Sequence, residues 1–172
     1  MDAVDPAPSR LTPQVSGVDA DNSTLFPVGA TTVAFRFRDA SGNIGTAAAD
    51  VTVIIGQPRL SGKIAAKGRE TFGALYVDLN LTNSGTGNAR NIMLNQVLLR
   101  ILSGTGTVTY NTTLSPALPY SAGNLDVGAT TVIRFYLNVS STVTKFSITE
   151  NGTVRNVVGT SYNYSIGQAV IP

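Results

Sequence analysis

The chain has 172 residues, only 13 % of them charged, and a formal net charge of +2 at pH 7. Cysteine and histidine are both absent, which excludes disulfides, zinc sites of the Cys/His kind and nucleophiles activated by histidine. Lysine and arginine are scattered singly and form no run of basic residues, so we expect no nucleic-acid partner.

The first residues of the chain do not resemble a targeting signal. The stretch from Met1 to Pro6 lacks both a basic start and an apolar core. The longest apolar runs are far shorter than the ~20 residues of a membrane helix. We therefore expect no membrane insertion. Either a leader has been removed or the chain is a piece of a longer protein, and we favour the second interpretation.

Apolar and polar residues alternate along the first predicted strands, as in antiparallel sheets with one solvated face. Val33, Phe35 and Phe37 form the apolar side of one strand, and residues 47–55 form a second strand after a turn at 39–43. Only three or four strands are predicted in the first module, which is about half of a β-sandwich. Half of a sandwich leaves an apolar face with nothing to cover it.

A boundary is predicted within residues 54–62, where Gly56 and Pro58 interrupt the strand pattern. The chain then consists of a first module at 1–56 and a second at 57–172. The second is long enough for a complete sandwich of about seven strands.

Alternation is strongest in the second module. Residues 74–82 and 131–139 each place aliphatic or aromatic side chains on one face and polar ones on the other. Residues 89–99 lack a helical stripe and are predicted as two strand segments or one long bent strand. Gly-rich turns are predicted at 83–88 and 103–106, and a further turn at 150–152. The fold class predicted is all-β, with two immunoglobulin-like antiparallel β-sandwich modules in tandem and the first incomplete.

One hexapeptide, Val-Gly-Ala-Thr-Thr-Val, occurs at 28–33 and again at 127–132. Each copy has a glycine suited to a turn, followed by the start of an alternating strand. The surrounding residues differ. We interpret the repeat as marking a similar late strand in two sandwich modules, and not as a binding motif.

Residues 21–55 resemble the C-terminal half of a hyalin-repeat module, a β-sandwich of immunoglobulin type. The match consists of Phe26–Gly29, Thr31–Val33, Asp39–Asn43 and Val51–Val53. The first strands of such a module, and the cysteine often found in its last strands, are missing. The resemblance implies an extracellular adhesion-type module in a repeat-bearing protein, and it does not imply a catalytic activity.

Residues 75–92 resemble bacterial immunoglobulin-like surface modules, including the adhesion-related CARDB type. A strand ending in Leu-Thr-Asn at 81–83 is followed by a Gly-rich turn and then by Ala89, which begins the next strand. We extend this interpretation to residues 58–172. It implies a second surface module with no cofactor.

Few side chains point to chemistry. Glu70 and Glu150 are the only glutamates and both lie next to predicted turns, so we interpret them as solvated charges and predict no catalytic residue. Asp19 and Asp21 stand at alternate positions with oxygen donors nearby, which gives the hypothesis of a calcium site. No other cofactor is expected.

The sequence favours a non-catalytic structural or adhesion module pair from a secreted or cell-surface protein, with other protein modules or copies of itself as partners. One alternative is a filament subunit, whose incomplete first module is completed by a strand from a neighbouring chain; the Pro-rich segment 5–13 is the predicted donor. Another is a carbohydrate-binding module of a secreted enzyme, with glycans bound by some of the tyrosines. These tyrosines are Tyr76, Tyr110, Tyr120, Tyr136, Tyr162 and Tyr164.

Overall fold

The structure, a computed structural model, describes residues 8–172, which form strands and turns without any helix. Accordingly, none of these residues belongs to a helix long and apolar enough to cross a membrane. The chain divides into two compact units, Met1–Ile55 and Gly56–Pro172. This division lies one residue before the boundary drawn from the sequence. The all-β prediction is confirmed.

The first unit is a single antiparallel sheet. Its central strand β4 pairs with β5 on one side and with the short strands β1 and β2 on the other, while β3 pairs with β2. The hairpin between β2 and β3 turns at Ser16 and Gly17, both with positive φ. The strands are β1 (Ser9–Arg10), β2 (Gln14–Val15), β3 (Val18–Asp19), β4 (Gly29–Arg38) and β5 (Ile44–Val53).

The second unit is a sandwich of two four-stranded antiparallel sheets, ordered β6-β7-β11-β9 and β10-β8-β12-β13. The first sheet follows the A-B-E-D order of the immunoglobulin class, and the second its C-F-G order with β10 added beside the C-position strand. The strands are β6 (Leu60–Arg69), β7 (Leu75–Asn83), β8 (Ala89–Gly104), β9 (Val108–Tyr110), β10 (Tyr120–Leu125), β11 (Thr130–Val139), β12 (Val143–Arg155) and β13 (Ser161–Val170).

The core of the second unit lies between these sheets, on the faces predicted from alternation. Every second residue of β7 from Leu75 to Leu81 is buried, as are Ile133, Phe135 and Leu137 of β11. The opposing sheet contributes Ile92, Leu94, Phe146, Ile148 and Val154. Two apolar faces about 10 Å apart, each excluding water from the other, stabilise the sandwich.

Residues 89–99 belong to one strand, β8, which is 16 residues long. Its register against β12 shifts at four places, and such bulges bend a strand and increase its twist. The prediction of strand, and not helix, for residues 89–99 is confirmed.

The turn predicted at 150–152 is wrong. These residues lie inside β12, where Glu150, Asn151 and Gly152 pair with β13 in unbroken register. Gly152 does not have a positive φ. Glycine is needed there for a different reason, because a Cβ at this position would overlap the Met93 carbonyl oxygen and the Tyr164 ring. The glycine therefore permits a close approach between strands.

The two hexapeptide copies differ in which face they bury. Gly29, the first residue of β4, and Gly128, in the turn before β11, both have positive φ. Val33, however, lies on the apolar face and is 6 % exposed, whereas its counterpart Val132 points to solvent and is 57 % exposed. The same six residues therefore enter strands that differ by one residue in their inward positions.

Truncating Phe135 to alanine is expected to lower the free energy of unfolding of the second unit by about 3–5 kcal/mol, because it opens a cavity in a closed core. Phe135 is 0 % exposed and its ring lies 6.2 Å from that of Tyr110. Urea titration followed by tyrosine fluorescence measures this unit alone, because the chain has no tryptophan and its first tyrosine is Tyr76.

The matched control is Val132→Ala, three residues away on the solvated face of the same strand. It is expected to change the free energy of unfolding by no more than about 0.5 kcal/mol. Equal losses in the two variants would contradict the assignment of the core.

Candidate functional site, an open sheet face

Within residues 8–55, the described part of the first unit, no second sheet covers the apolar side of the sheet. Directly paired residues of antiparallel strands point to the same side, so the register of β4 with β5 and of β2 with both its neighbours fixes this surface. We call it the open face. It consists of Val15, Val18, Thr31, Val33, Phe35, Phe37, Gly45, Ala47, Ala49, Val51 and Val53.

Exposure separates the open face from the sandwich core. Among the described residues of the first unit, Val33 is the only buried hydrophobic side chain. Phe35 and Phe37 are half-buried, and β5 is exposed from Ile44 to Thr52. A sheet with one apolar face is stable when another layer covers that face. Contiguous exposed apolar surface of this kind marks an interaction site.

The open face has relief. Its ridge is the row of bulky side chains on β4, namely Val33, Phe35 and Phe37. Its groove is the neighbouring row on β5 of Ala49, Ala47 and Gly45, each paired with one ridge residue in that order. A Cβ placed on Gly45 would meet no atom within 4 Å, so the groove is empty at that position.

The opposite face of the same sheet carries charged and hydroxyl side chains together with three alanines and Ile44. Thr32 Oγ1 donates a hydrogen bond of 2.7 Å to Asp50 Oδ1, and Arg36 pairs with Thr46. The only charged residue on the apolar side in the described pairs is Arg10, at the rim beside Phe37. The sheet is thus amphipathic across its thickness, with one side suited to water.

The outer edge of β5 is also free within the described part of this unit. β5 pairs only with β4, in a register without shifts over ten residues. Proteins protect such edges with lysine, proline or bulges. β5 contains none of these devices, and Asp50 is its only charged residue.

Asp19 and Asp21 have turn and strand-end contacts. Asp19 accepts a hydrogen bond of 2.9 Å from Gln14 Nε2. Asp21 Oδ1 accepts bonds from the Ser23 backbone N–H and hydroxyl at 2.8 and 2.6 Å, which lower the pKa of Asp21. No group of three Asp, Glu, Cys or His side chains within residues 8–172 is placed to share a metal ion. The calcium hypothesis stays a prediction.

Glu70 and Glu150 have different surroundings. Glu70 lies in the β6–β7 turn, where its carbonyl accepts from the Gly73 N–H at 2.8 Å. Glu150 faces the sandwich core and is 1 % exposed, so its interpretation as a solvated turn charge is wrong. The sequence signal that was missed is its spacing of two from Ile148, which repeats the inward period of β12.

Glu150 holds its proton strongly. Neither carboxyl oxygen has a hydrogen-bond partner, and burial raises the pKa of Glu150 to about 7. Its paired neighbours are Ile166 of β13 and Val97 of β8. Burial and the nearby Glu150 also raise the pKa of Tyr164 to about 12. A carboxyl enclosed by the core in this way does not face a substrate cleft.

The tyrosine rings make contacts within the protein. Tyr110, Tyr120, Tyr162 and Tyr164 pack against the core. Tyr76 lies over Gly68, where an added Cβ would meet its ring, and the Arg134 guanidinium stacks on that ring at 4.4 Å.

Arg134 is held over Tyr76 by two hydrogen bonds to Asp78, of 2.7 and 2.8 Å. Tyr136 lies directly opposite Tyr76 on the neighbouring strand. This arrangement is a cross-strand ladder that stabilises the sheet. Glycan binding by these tyrosines stays a prediction.

No protein-family model matches the chain, and neither the curated proteins nor the solved structures include a significant match.

The second unit is expected to lose stability as pH rises from about 4.5 to 7. In that interval an unfolded Glu150 releases its proton at its ordinary pKa, whereas the folded state keeps it, so the unfolded state binds fewer protons and unfolding is favoured. The expected loss is roughly 3 kcal/mol. Urea midpoints measured by tyrosine fluorescence between pH 4 and 8 test this, and Glu150→Gln should abolish the slope.

Glu70→Gln is the matched control and should keep the slope. The chain has no histidine, so no other side chain of ordinary pKa titrates at the upper end of that interval. A slope that persists in the Glu150→Gln variant would contradict the assignment.

Proposed function

We propose that the chain is a non-catalytic structural and adhesion module pair of an extracellular or cell-surface protein. The observation that carries the proposal is the open face, eleven residues of one sheet that no second sheet covers in the described unit. Burying apolar area of this kind is the main driving force of protein association. The open face is the surface through which the first unit contacts another protein.

The chemistry of the side chains supports a role without catalysis. Nucleophiles that depend on cysteine or histidine cannot form in this sequence. Of the two glutamates, one is enclosed in the core and the other forms a turn. Other charged groups with defined partners hold strands together, as Arg134 does with Asp78, or close turns, as Asp39 does with Asn43.

The resemblance to hyalin-repeat modules supports the extracellular location. Of the segments that carry the resemblance, residues 26–29 end at the first residue of β4, and residues 39–43 form the β4–β5 turn. In that turn Asp39 accepts hydrogen bonds from the Asn43 backbone N–H and side-chain amide. Within the described residues, this hairpin belongs to a sheet whose apolar side no second sheet covers.

Adhesion of beads coated with the chain tests the proposal. Wild-type beads are expected to be retained on at least one of a panel of purified extracellular-matrix proteins. Val51→Lys, which puts a charge on an exposed position of the open face, should reduce retention at least about tenfold because the charge would be desolvated on contact.

Thr52→Lys is the matched control, since it adds the same charge to the next residue of β5 on the opposite face. It should leave retention unchanged. Equal retention of wild-type and Val51→Lys beads would overturn the proposal, as would retention on glycan coats alone.

A second candidate function is that of a filament subunit. The observation in its favour is the unprotected ten-residue edge of β5, to which a strand of a neighbouring chain can add. The donor segment expected at 5–13 is partly outside the described residues. Its residues Ser9 and Arg10 pair with β4 of their own chain, so they would have to leave that strand to act as donors.

Filament assembly predicts polymers that grow with concentration and disappear in Ala48→Lys, because lysine on an edge opposes strand addition. Ala34→Lys is the control: it introduces the same residue on the same face at the position paired with Ala48, but on the central strand β4. Electron microscopy and light scattering measure the outcome. A monodisperse wild-type chain would contradict this candidate.

A further inference from the structure

We propose that a second copy of this chain covers the open face, so that two copies form a symmetric dimer with the sheets of their first units packed face to face. The inference rests on the proposed function, since it names the partner of the same surface. It commits to a closed pair, and not to the open chain of subunits that a filament requires.

The relief of the open face is self-complementary. Within one sheet, Phe35 lies beside Ala47 and Phe37 beside Gly45. A two-fold axis that runs parallel to the strands, midway between β4 and β5, places the ridge of each copy over the groove of the other. Phe35 of one copy then lies over Ala47 of its partner, and the same contact occurs a second time by symmetry.

The other axis in the plane of the sheets does not achieve this. An axis perpendicular to the strands places β4 of one copy directly over β4 of the other. Phe35 and Phe37 of one copy then face the bulky row of the other copy. Bulky side chains directly opposed hold two sheets apart and leave Ala47 uncovered. The alternation of large and small rows therefore selects the first axis.

The charges are compatible with this packing. All but one of the charged residues in the strands of this sheet point to its other side, as Arg36 and Asp50 do. Arg10 lies on the strand beyond β4, on the side away from β5. The proposed axis sends the two copies of Arg10 to opposite rims of the interface, where both stay in water and neither faces the other.

The size of the overlap predicts a weak dimer. Two strands of ten residues span about 34 Å by 10 Å in each copy, which is below the area of a standard stable interface. We expect a dissociation constant on the order of 10–100 μM. Weak contacts of this kind become strong when many copies are presented on one surface, which suits adhesion.

Sedimentation of the full 172-residue chain between about 1 μM and 1 mM tests the proposal. The wild type is expected to dimerise. Ala47→Phe fills the groove, so it should be monomeric across the range, although it adds apolar surface. Phe35→Ala lowers the ridge and should also weaken the dimer at least about tenfold. An equimolar mixture of the two variants should dimerise again, because each supplies what the other lacks.

A second measurement does not depend on how well Phe35→Ala folds. The chain has no cysteine, so Ala47→Cys introduces a single thiol at an exposed position of the groove. The proposed axis brings the two copies of this thiol within reach of a short bis-maleimide, which should cross-link a dimer. Thr46→Cys, on the opposite face of the same strand, is the matched control and should stay uncross-linked.

The proposal is overturned if the wild type is monomeric at 1 mM, if Ala47→Phe associates as strongly as the wild type, or if both cysteine variants cross-link equally. Such results leave the bead assay on matrix proteins unaffected: retention there that depends on Val51 would keep the open face as a contact surface and assign it a different partner. If the chain neither dimerises nor shows retention that depends on Val51, the proposed function is refuted as well.

Discussion

The constraint on which the structure depends is that a strand with one apolar side needs a second apolar layer. In the second unit the constraint is met within the chain, because the inner sides of β7 and β11 bury Leu79 and Phe135 against the sheet that contains Ile148. In the first unit the same alternation produces one sheet, whose open face remains in contact with water. One sequence rule thus yields a closed core in one unit and a contact surface in the other.

Alternation is a local property, which explains what could be predicted from the sequence. The inward residues of β7 and β11 follow from a period of two, and so does the apolar row of Val33, Phe35 and Phe37 on β4. Residues 150–152 could not be predicted in this way. Glu-Asn-Gly has the composition of a turn, but pairing with β8 and β13 keeps it extended, and the Met93 carbonyl explains why the residue is glycine.

In both the hexapeptide repeat and the open face, strand register and pairing decide what the residues do. Identical residues at 28–33 and 127–132 share a turn glycine, yet their last valines face opposite sides because the residues that follow set the inward register. In the open face, the sequence contains both the row with Phe35 and the row with Ala47. Strand pairing places Phe35 beside Ala47, twelve positions further along the chain, so the two rows are adjacent and in register. The ridge and the groove therefore become apparent only when β4 and β5 are paired in the sheet.

The difference between the units has a thermodynamic consequence. A unit with a closed core is stable without a partner, whereas a sheet that leaves Phe35 and Phe37 half-exposed gains stability from whatever covers them. Binding at the open face and folding of the first unit are therefore linked, and any partner that buries the face also raises the stability of the sheet that presents it. The second unit escapes this linkage, because its own sheets supply both layers and its stability responds instead to the proton on Glu150.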